Sequence, residues 1–472
     1  MNVPPHIPAL RGGRAYESLE KAGVVDCRDG RVIATVSQVN AGIVRKDLAR
    51  IGESRAALKK FTVAQLLEIC ARAGAEFLNG SLPLGDGRQS PRDYIEALSA
   101  TSGLPHVMVR RNMAKIHQAL TQMGAILKGL TRGLDLAVLD AGAAGRLSFY
   151  PATTALGLVM PSNSPAVNSL WLPAIPLKIP VIIKPGRDEP WPPYRLIQAF
   201  IAAGCPAEAF GFYPTGHEGA AEILRGCGRA LIFGDQTTTA AYANNPAIQI
   251  HGPGYSKILV GDDQIERWPE FIDLMASAVC DNGGRSCINA SAIVVPKYAA
   301  EIADALSRKL GPVVPLPATD ENARLAAFAN PKMAEFIDGA IEEGLKIPGA
   351  IDVTARFRNG PRKALLGGAT YLRPSIILCD SFAQPLANRE FLCPYASVVT
   401  APQSAMLELI GPSLAVTAIT RDPGFIGALL ESPRIERLNI GPLSTMTVSW
   451  DQPHEGNMFE FLYKRRAVEF AQ

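Results

Sequence analysis

The sequence lacks the marks of several protein classes. Its eight cysteines include no CxxC pair and its six histidines do not group at zinc spacing, so neither a disulfide framework nor a structural metal is expected. No uncharged apolar stretch approaches the roughly 18 residues of a membrane span. Met1 to Arg14 carries prolines and charges where a signal peptide needs an apolar core. The expectation is an untargeted cytoplasmic protein without a membrane span. Lys and Arg number 47 against 44 Asp and Glu, a formal charge of +3, too balanced to grip nucleic acid or an anionic membrane. There is no repeat or low-complexity tract, and no GxGxxG stands between a strand and a helix.

What is present reads as an ordinary globular chain: 47% hydrophobic and 19% charged over 472 residues, enough at about 150 residues per domain for roughly three units. The first third reads mainly helical. Thr62 followed by Gln65 is a capping-box signature, and Val63, Leu66, Leu67, Cys70, Phe77 and Leu78 keep helical spacing until Asn79-Gly80 stops it. Leu136–Leu139 and Leu147–Tyr150, flanking Asp140-Ala-Gly-Ala-Ala-Gly145, predict a hairpin.

From residue 155 short apolar runs alternate with helix-length segments: Leu156–Met160, Val181–Ile183, Phe210–Tyr213, Ala230–Phe233 and Ile248–Ile250. Strands joined by crossovers of that length predict a parallel, doubly wound sheet, which binds ligands at the C-terminal ends of its strands. The residues there are Pro161-Ser-Asn-Ser164, Lys184-Pro-Gly-Arg187, Pro214-Thr-Gly216, Gly234-Asp-Gln236 and His251-Gly-Pro-Gly254, polar and rich in Gly and Pro as a nucleotide crevice requires. A second α/β stretch, about 256–438, opens with Lys257–Val260 and contains a helix around Tyr298–Leu310. In the tail, Ala467, Val468 and Phe470 suit a strand whose basic triplet, Lys464-Arg-Arg466, guards a solvated edge.

Four motifs in order, spread over roughly residues 30–470, resemble the aldehyde dehydrogenase superfamily. They are Pro161-Ser162-Asn163 after a strand, Lys184-Pro185 ending the next, Asn282-Gly-Gly-Arg-Ser-Cys287, and Glu390-Phe-Leu-Cys-Pro394. The resemblance implies a three-part α/β fold. It has a Rossmann-type NAD(P)-binding domain from 1–133 and 153–255, a catalytic domain from 256–438, and a small β oligomerisation unit from 134–152 and 439–472. A homodimer or homotetramer follows from that unit.

The resemblance also implies site roles. Cys287 takes the place of the nucleophile, as carbonyl oxidation or thioester reduction needs a thiolate that attacks and later leaves. Cys70, Cys205 and Cys227 lie in apolar periodic segments and read as inert core, as does Cys280. Asn163 matches the amide that, with the Cys287 backbone, stabilises a tetrahedral oxyanion; its plain alternative is an Asx-turn before Pro165. Lys184 and Glu390 match the holders of cofactor ribose hydroxyls, the alternative for each being an ion pair between domains. Pro161 and Ser162 belong to the same cofactor-side loop. Gly234, with Asp235 to Thr239, is expected to bring a helix N-terminus towards the pyrophosphate.

Two departures from the family pattern stand out. Where hydrolytic members carry a Glu-Leu-Gly-Gly-Lys element, whose glutamate activates the deacylating water, this chain has His251-Gly-Pro-Gly-Tyr-Ser-Lys257. Three readings stay open: the Gly-Pro-Gly resembles CoA-acylating members and the acyl group passes to CoA; His251 is itself the base; or His251 is a hydrogen-bonded spacer. Arg187 stands where NAD-preferring relatives often carry an acid, which points to the 2′-phosphate of NADP over NAD unless Asp188 or Glu189 pairs with it. The expected reaction is interconversion of an acyl-CoA thioester and an aldehyde, with CoA as co-substrate. The alternatives are hydrolytic oxidation of an aldehyde with His251 as base, and a catalytically silent relative serving as a structural or binding protein. No metal is implied.

Overall fold

The computed structural model describes residues 4–141, 146–469 and 471. Two seven-stranded sheets organise it. The first contains, in chain order, β1 (Ala9–Arg11), β2 (Arg14–Tyr16), β3 (Ala155–Val159), β4 (Val181–Lys184), β5 (Phe210–Phe212), β6 (Gly228–Phe233) and β7 (Ile248–His251). Their spatial order is β7-β6-β3-β4-β5-β1-β2, parallel from β7 to β5, with β1 and β2 added antiparallel at one edge. From the central β3 the chain winds one way through β4 and β5, then returns to β6 and β7 on the other side. The crevice at that reversal lies beyond the C-terminal ends of β3 and β6.

The second sheet contains β8 (Lys257–Val260), β9 (Ala292–Val295), β10 (Ala350–Asp352), β11 (Ser375–Cys379), β12 (Tyr395–Thr400), β13 (Ser413–Ile419) and β14 (Ile435–Ile440), in the order β10-β11-β12-β9-β8-β13-β14. All are parallel except β10. The loops entering β8, β9 and β12 therefore emerge at one end of this sheet. They carry residues 252–256, the Cys287 loop and Glu390–Pro394.

The first third is mainly helical from Ala41 onward, as expected, after a run of short strands over residues 6–37. Helix α1 (Val63–Asn79) follows its caps. Thr62 Oγ1 accepts from the Gln65 N–H at 3.2 Å and the Gln65 side chain accepts from the Thr62 N–H at 2.8 Å. Its stripe of Leu66, Ile69, Cys70, Ala73 and Phe77 is buried against α2 (His106–Thr121) and the helix Trp191–Ala202, each large side chain contributing about 1.5–3 kcal/mol. The helix at Ala299–Leu310 agrees with expectation. Among the described residues no helix is long and apolar enough to cross a membrane.

The hairpin at 136–150 is not formed. Val138–Ala141 is a short helix, entered by an Asp135 carboxylate that accepts from the Ala137 N–H at 3.0 Å. Asp140 in turn accepts from the Val63 N–H at 3.1 Å and pairs with Lys178. The intended turn at 142–145 lies outside the described residues. Leu147–Pro151 is a strand, but its partner is Tyr463–Ala467, antiparallel, with the exposed Lys464, Arg465 and Arg466 in the outer strand. Val468 extends the pairing through its N–H to Arg146; Phe470 lies outside the described residues.

Candidate active site

The C-terminal ends of the first sheet face the loop-bearing end of the second across a cavity of about 1290 Å³. Pro161, Ser162 and Asn163 after β3, Gly234 after β6, His251 ending β7, Cys287 and Glu390 all line it. Lys184 and Arg187 are not part of its wall.

The loop that presents Cys287 is set by backbone fit. Asn282, Gly283 and Gly284 hold successive left-handed φ values of 54°, 66° and 68°, a run that glycine tolerates and most residues resist. A Cβ on Gly284 would lie 2.3 Å from the Cys393 carbonyl carbon, and one on Gly254 would lie 2.0 Å from the Cys287 carbonyl oxygen. Side chains then tie the loop down. Ser256 Oγ donates to the Cys287 carbonyl at 2.8 Å. Asn112 on α2 donates to Asn282 Oδ1 at 2.9 Å, and Asn282 donates to Ser164 and Ser286. Arg285 is buried, its guanidinium spent on the carbonyls of Ser102 and Ala327. Asn112 carried no sequence signal; Ser164 and Ser256 lay within segments the sequence singled out, but without an assigned role.

Asn163 donates one N–H to the Arg285 carbonyl at 3.1 Å, on the loop that carries Cys287. Its Oδ1 is buried without a protein partner, so the Asx-turn alternative is not formed. Cys287 is half-buried. Burial pushes its thiol well above the ordinary range, with the negative charges of Glu455 and Glu390 adding, while the N–H groups of Cys287 and Ile288 hydrogen-bond the sulfur and oppose the rise. The sulfur needs a base to become a nucleophile at neutral pH. Cys70, Cys205, Cys227 and Cys280 are buried and held protonated by burial, as core cysteines are.

His251 is 5% exposed, its ring stacked on Phe233 at 4.4 Å between centroids. Its Nδ1 meets the Glu455 carboxylate. An ionised carboxylate only accepts, so Nδ1 carries a proton, and in the neutral imidazole Nε2 is then the acceptor. That Nε2 is buried and has no protein partner. Glu455, held at φ 51° in the loop before Gly456, lies 204 residues from His251 in the chain and escaped the sequence reading.

Burial raises the Glu390 carboxyl to about 7, against the N–H groups of Tyr255 and Gly254 that hydrogen-bond it. Lys257, wholly buried, is brought down to about 7 by burial and donates to the Tyr255 carbonyl at 2.6 Å. The Lys184 ammonium is lowered by burial, with Asp188 opposing. Neither Lys184 nor Glu390 joins an ion pair among the described residues, nor does the exposed Arg187, so the pairing alternatives are not formed. Ser162 Oγ instead accepts from the Asp188 N–H at 3.1 Å. The helix after Gly234 is a single turn, Gln236–Thr239, whose Thr238 N–H is taken by the Asp235 carboxylate at 2.8 Å.

The sequence pattern described as "Aldehyde dehydrogenase family" matches residues 17–406. The chain belongs to this family. A candidate aldehyde dehydrogenase of Staphylococcus haemolyticus is 24% identical over 404 residues, covering 81% of this chain and 78% of that protein. Among solved structures, the aldehyde dehydrogenase KauB of Pseudomonas aeruginosa is similar with a TM-score of 0.82 at 15% identity, covering 99% of this chain and 97% of that one. An indole-3-acetaldehyde dehydrogenase complexed with NAD+ is similar with a TM-score of 0.80 at 17% identity, over 99% and 97% of the two chains. At these identities the solved structures speak for the aldehyde dehydrogenase fold alone. The α/β architecture that the four motifs resembled is the one observed.

Proposed function

We propose that the protein oxidises an apolar aldehyde to its acid, with a nicotinamide cofactor, through a thioester on Cys287. The observation that carries the reading is His251: Glu455 fixes its Nδ1–H, its Nε2 is unpartnered, and the residue lines the cavity that holds Cys287. A carboxylate–imidazole pair of this kind replaces the glutamate missing at position 251. The cavity wall near Cys287 is apolar: Cys287 shares a hydrophobic cluster with Ile288, Met446 and Val448, and Leu170 and Trp450 line the same cavity, which suits an aldehyde with an apolar body.

The residues fit a nicotinamide dinucleotide. Lys184 is a desolvated ammonium without an ion pair, and Glu390 keeps acceptor sites beyond those used by the 254–255 backbone; these two would hold ribose hydroxyls. The indole-3-acetaldehyde dehydrogenase is complexed with NAD+, and a 3,6-anhydro-L-galactose dehydrogenase of similar fold with NADP, at a TM-score of 0.77. Arg187, exposed and without an ion pair, favours NADP. When bound, the nicotinamide accepts the hydride.

The chain's own residues do the rest. His251 Nε2 takes the Cys287 proton, and the thiolate adds to the aldehyde carbonyl. The new oxyanion meets the second N–H of Asn163 and the Cys287 backbone, a pair of donors each worth about 3 kcal/mol of barrier. Once hydride has left and His251 has released the thiol proton to solvent, its free Nε2 takes a proton from water, hydroxide adds to the thioester, and the acid departs from the regenerated thiolate. Base assistance of this type contributes a factor of about 100 to 10,000.

Transfer of the acyl group to CoA, or the reverse reduction of an acyl-CoA, is the second reading, favoured by the absence of a carboxylate at 251. Reduced nicotinamide is to be followed over an aldehyde panel with and without CoA. Sustained acid formation without thiol is expected, and Cys287→Ala should abolish it while leaving the fold intact. A single turnover that resumes only with CoA would install the second reading, and turnover of neither aldehydes nor acyl-CoAs the silent one.

A further inference from the structure

Behind His251 lies a second, smaller cavity of about 40 Å³. His251, His454, Trp450 and Leu170 belong to the walls of both cavities, so the two histidines stand on the partition. Three buried polar atoms on the small cavity's wall residues find no protein partner: His251 Nε2, His454 Nδ1 and Ser169 Oγ. Apolar cavities of this size stay dry. One with two to four polar partners, and more than the roughly 10–15 Å³ that a water centre needs, is a hydration site.

We propose that the small cavity binds ordered water bridging His251 Nε2, His454 Nδ1 and Ser169 Oγ, and that through it His454 is a positioning residue for the His251 base. This rests on the reading of His251 as base. The water fixes the imidazole's free edge as Glu455 fixes the other. His454 suits the task because burial, with Arg437 and His251 adding, holds it down at about 4 against the opposing charge of Glu455. It is neutral at working pH, so its Nδ1 can accept or, in the other tautomer, donate. Glu455, Arg437 and His251 are the charged or titratable groups facing His454; Glu455 and His454 are those facing His251.

The test combines a high-resolution crystal structure of the full chain with kinetics of His454→Phe, His454→Asn, Ser169→Ala and His251→Ala. Density for water bonded to the three atoms is expected. His454→Phe should leave the first burst of reduced nicotinamide intact and slow acid release about 10- to 100-fold, with a displaced pH midpoint. His454→Asn, which restores a polar group, should recover part of the rate, and Ser169→Ala should shift the midpoint if the phenylalanine variant does not fold. A dry cavity overturns the proposal, as does an unaltered pH profile in both the His454 and Ser169 variants while His251→Ala is inactive. Full activity in His251→Ala overturns the base reading instead, and the water site then stands or falls on the crystal structure.

Discussion

Glu455→Gln separates a positioned base from a merely packed histidine, because two effects of the same charge have opposite signs. The Glu455 carboxylate accepts from His251 Nδ1, and a hydrogen bond to a charged group contributes about 1.5–3 kcal/mol against about 0.5–1.5 for a neutral one. Glutamine keeps an acceptor and loses the charge. The imidazolium formed during catalysis thus loses about 1–1.5 kcal/mol of support, which at 1.36 kcal/mol per decade lowers turnover about 5- to 15-fold. Glu455→Leu, which strands Nδ1, should cost about 100-fold. Glu455 also raises the Cys287 thiol, so removing its charge should increase the thiolate fraction and speed alkylation by iodoacetamide at fixed pH. The assay pairs steady-state acid formation with alkylation rates from pH 6 to 9. Slower turnover with faster alkylation is the expected signature; a turnover within twofold of wild type, or a fall in both rates, refutes the reasoning.

Three further outcomes are expected. Glu189, buried and raised to about 8, keeps in the folded state a proton that the unfolded chain releases, so stability falls as pH rises from the ordinary carboxylate range through 8. Glu189→Gln should raise Tm over wild type by more at pH 8.5 than at pH 5, and equal gains would place the carboxyl in water. Arg187→Glu should weaken NADP far more than NAD in titrations of cofactor binding, since attraction to a 2′-phosphate becomes repulsion; equal losses assign the side chain elsewhere. The sheet of Leu147–Pro151 and Tyr463–Ala467 has two strands, too few to be stable alone, so removing residues 463–472 should convert a dimer or tetramer into monomer or aggregate by light scattering. A monomeric intact chain would contradict that role.

The parallel core was legible because its strands are short, apolar and separated by turn residues: all five between 155 and 251 fall within two residues of their expected bounds. The Thr62–Gln65 cap was legible for the same local reason. Leu136–Leu139 was not, since four apolar residues in a row fit a helical turn as well as a strand, and the deciding contact, Asp140 on the N-terminus of α1, joins residues 77 apart. At the site, Cys287, Asn163 and Glu390 were found through motifs. Glu455 was not, because a lone acid beside glycine has no pattern, and its meaning comes only from a fold that sets it on His251. Lys184 and Arg187 lie outside the cavity wall, a placement set by tertiary packing that no local pattern encodes.

The Cys287 loop is wedged between two other backbones, at Gly254 and at Gly284, with no room for a methyl group at either. The depth of the sulfur is therefore fixed by main chain, whereas the chamber around it is shaped by side chains of a separate segment, Met446, Val448 and Trp450. Chemistry and selectivity are mechanically decoupled. Smaller or larger residues at 446, 448 and 450 can re-tailor the range of aldehydes accepted without displacing the reactive atom, making that segment the natural handle for redesign and the two glycines the positions to leave untouched.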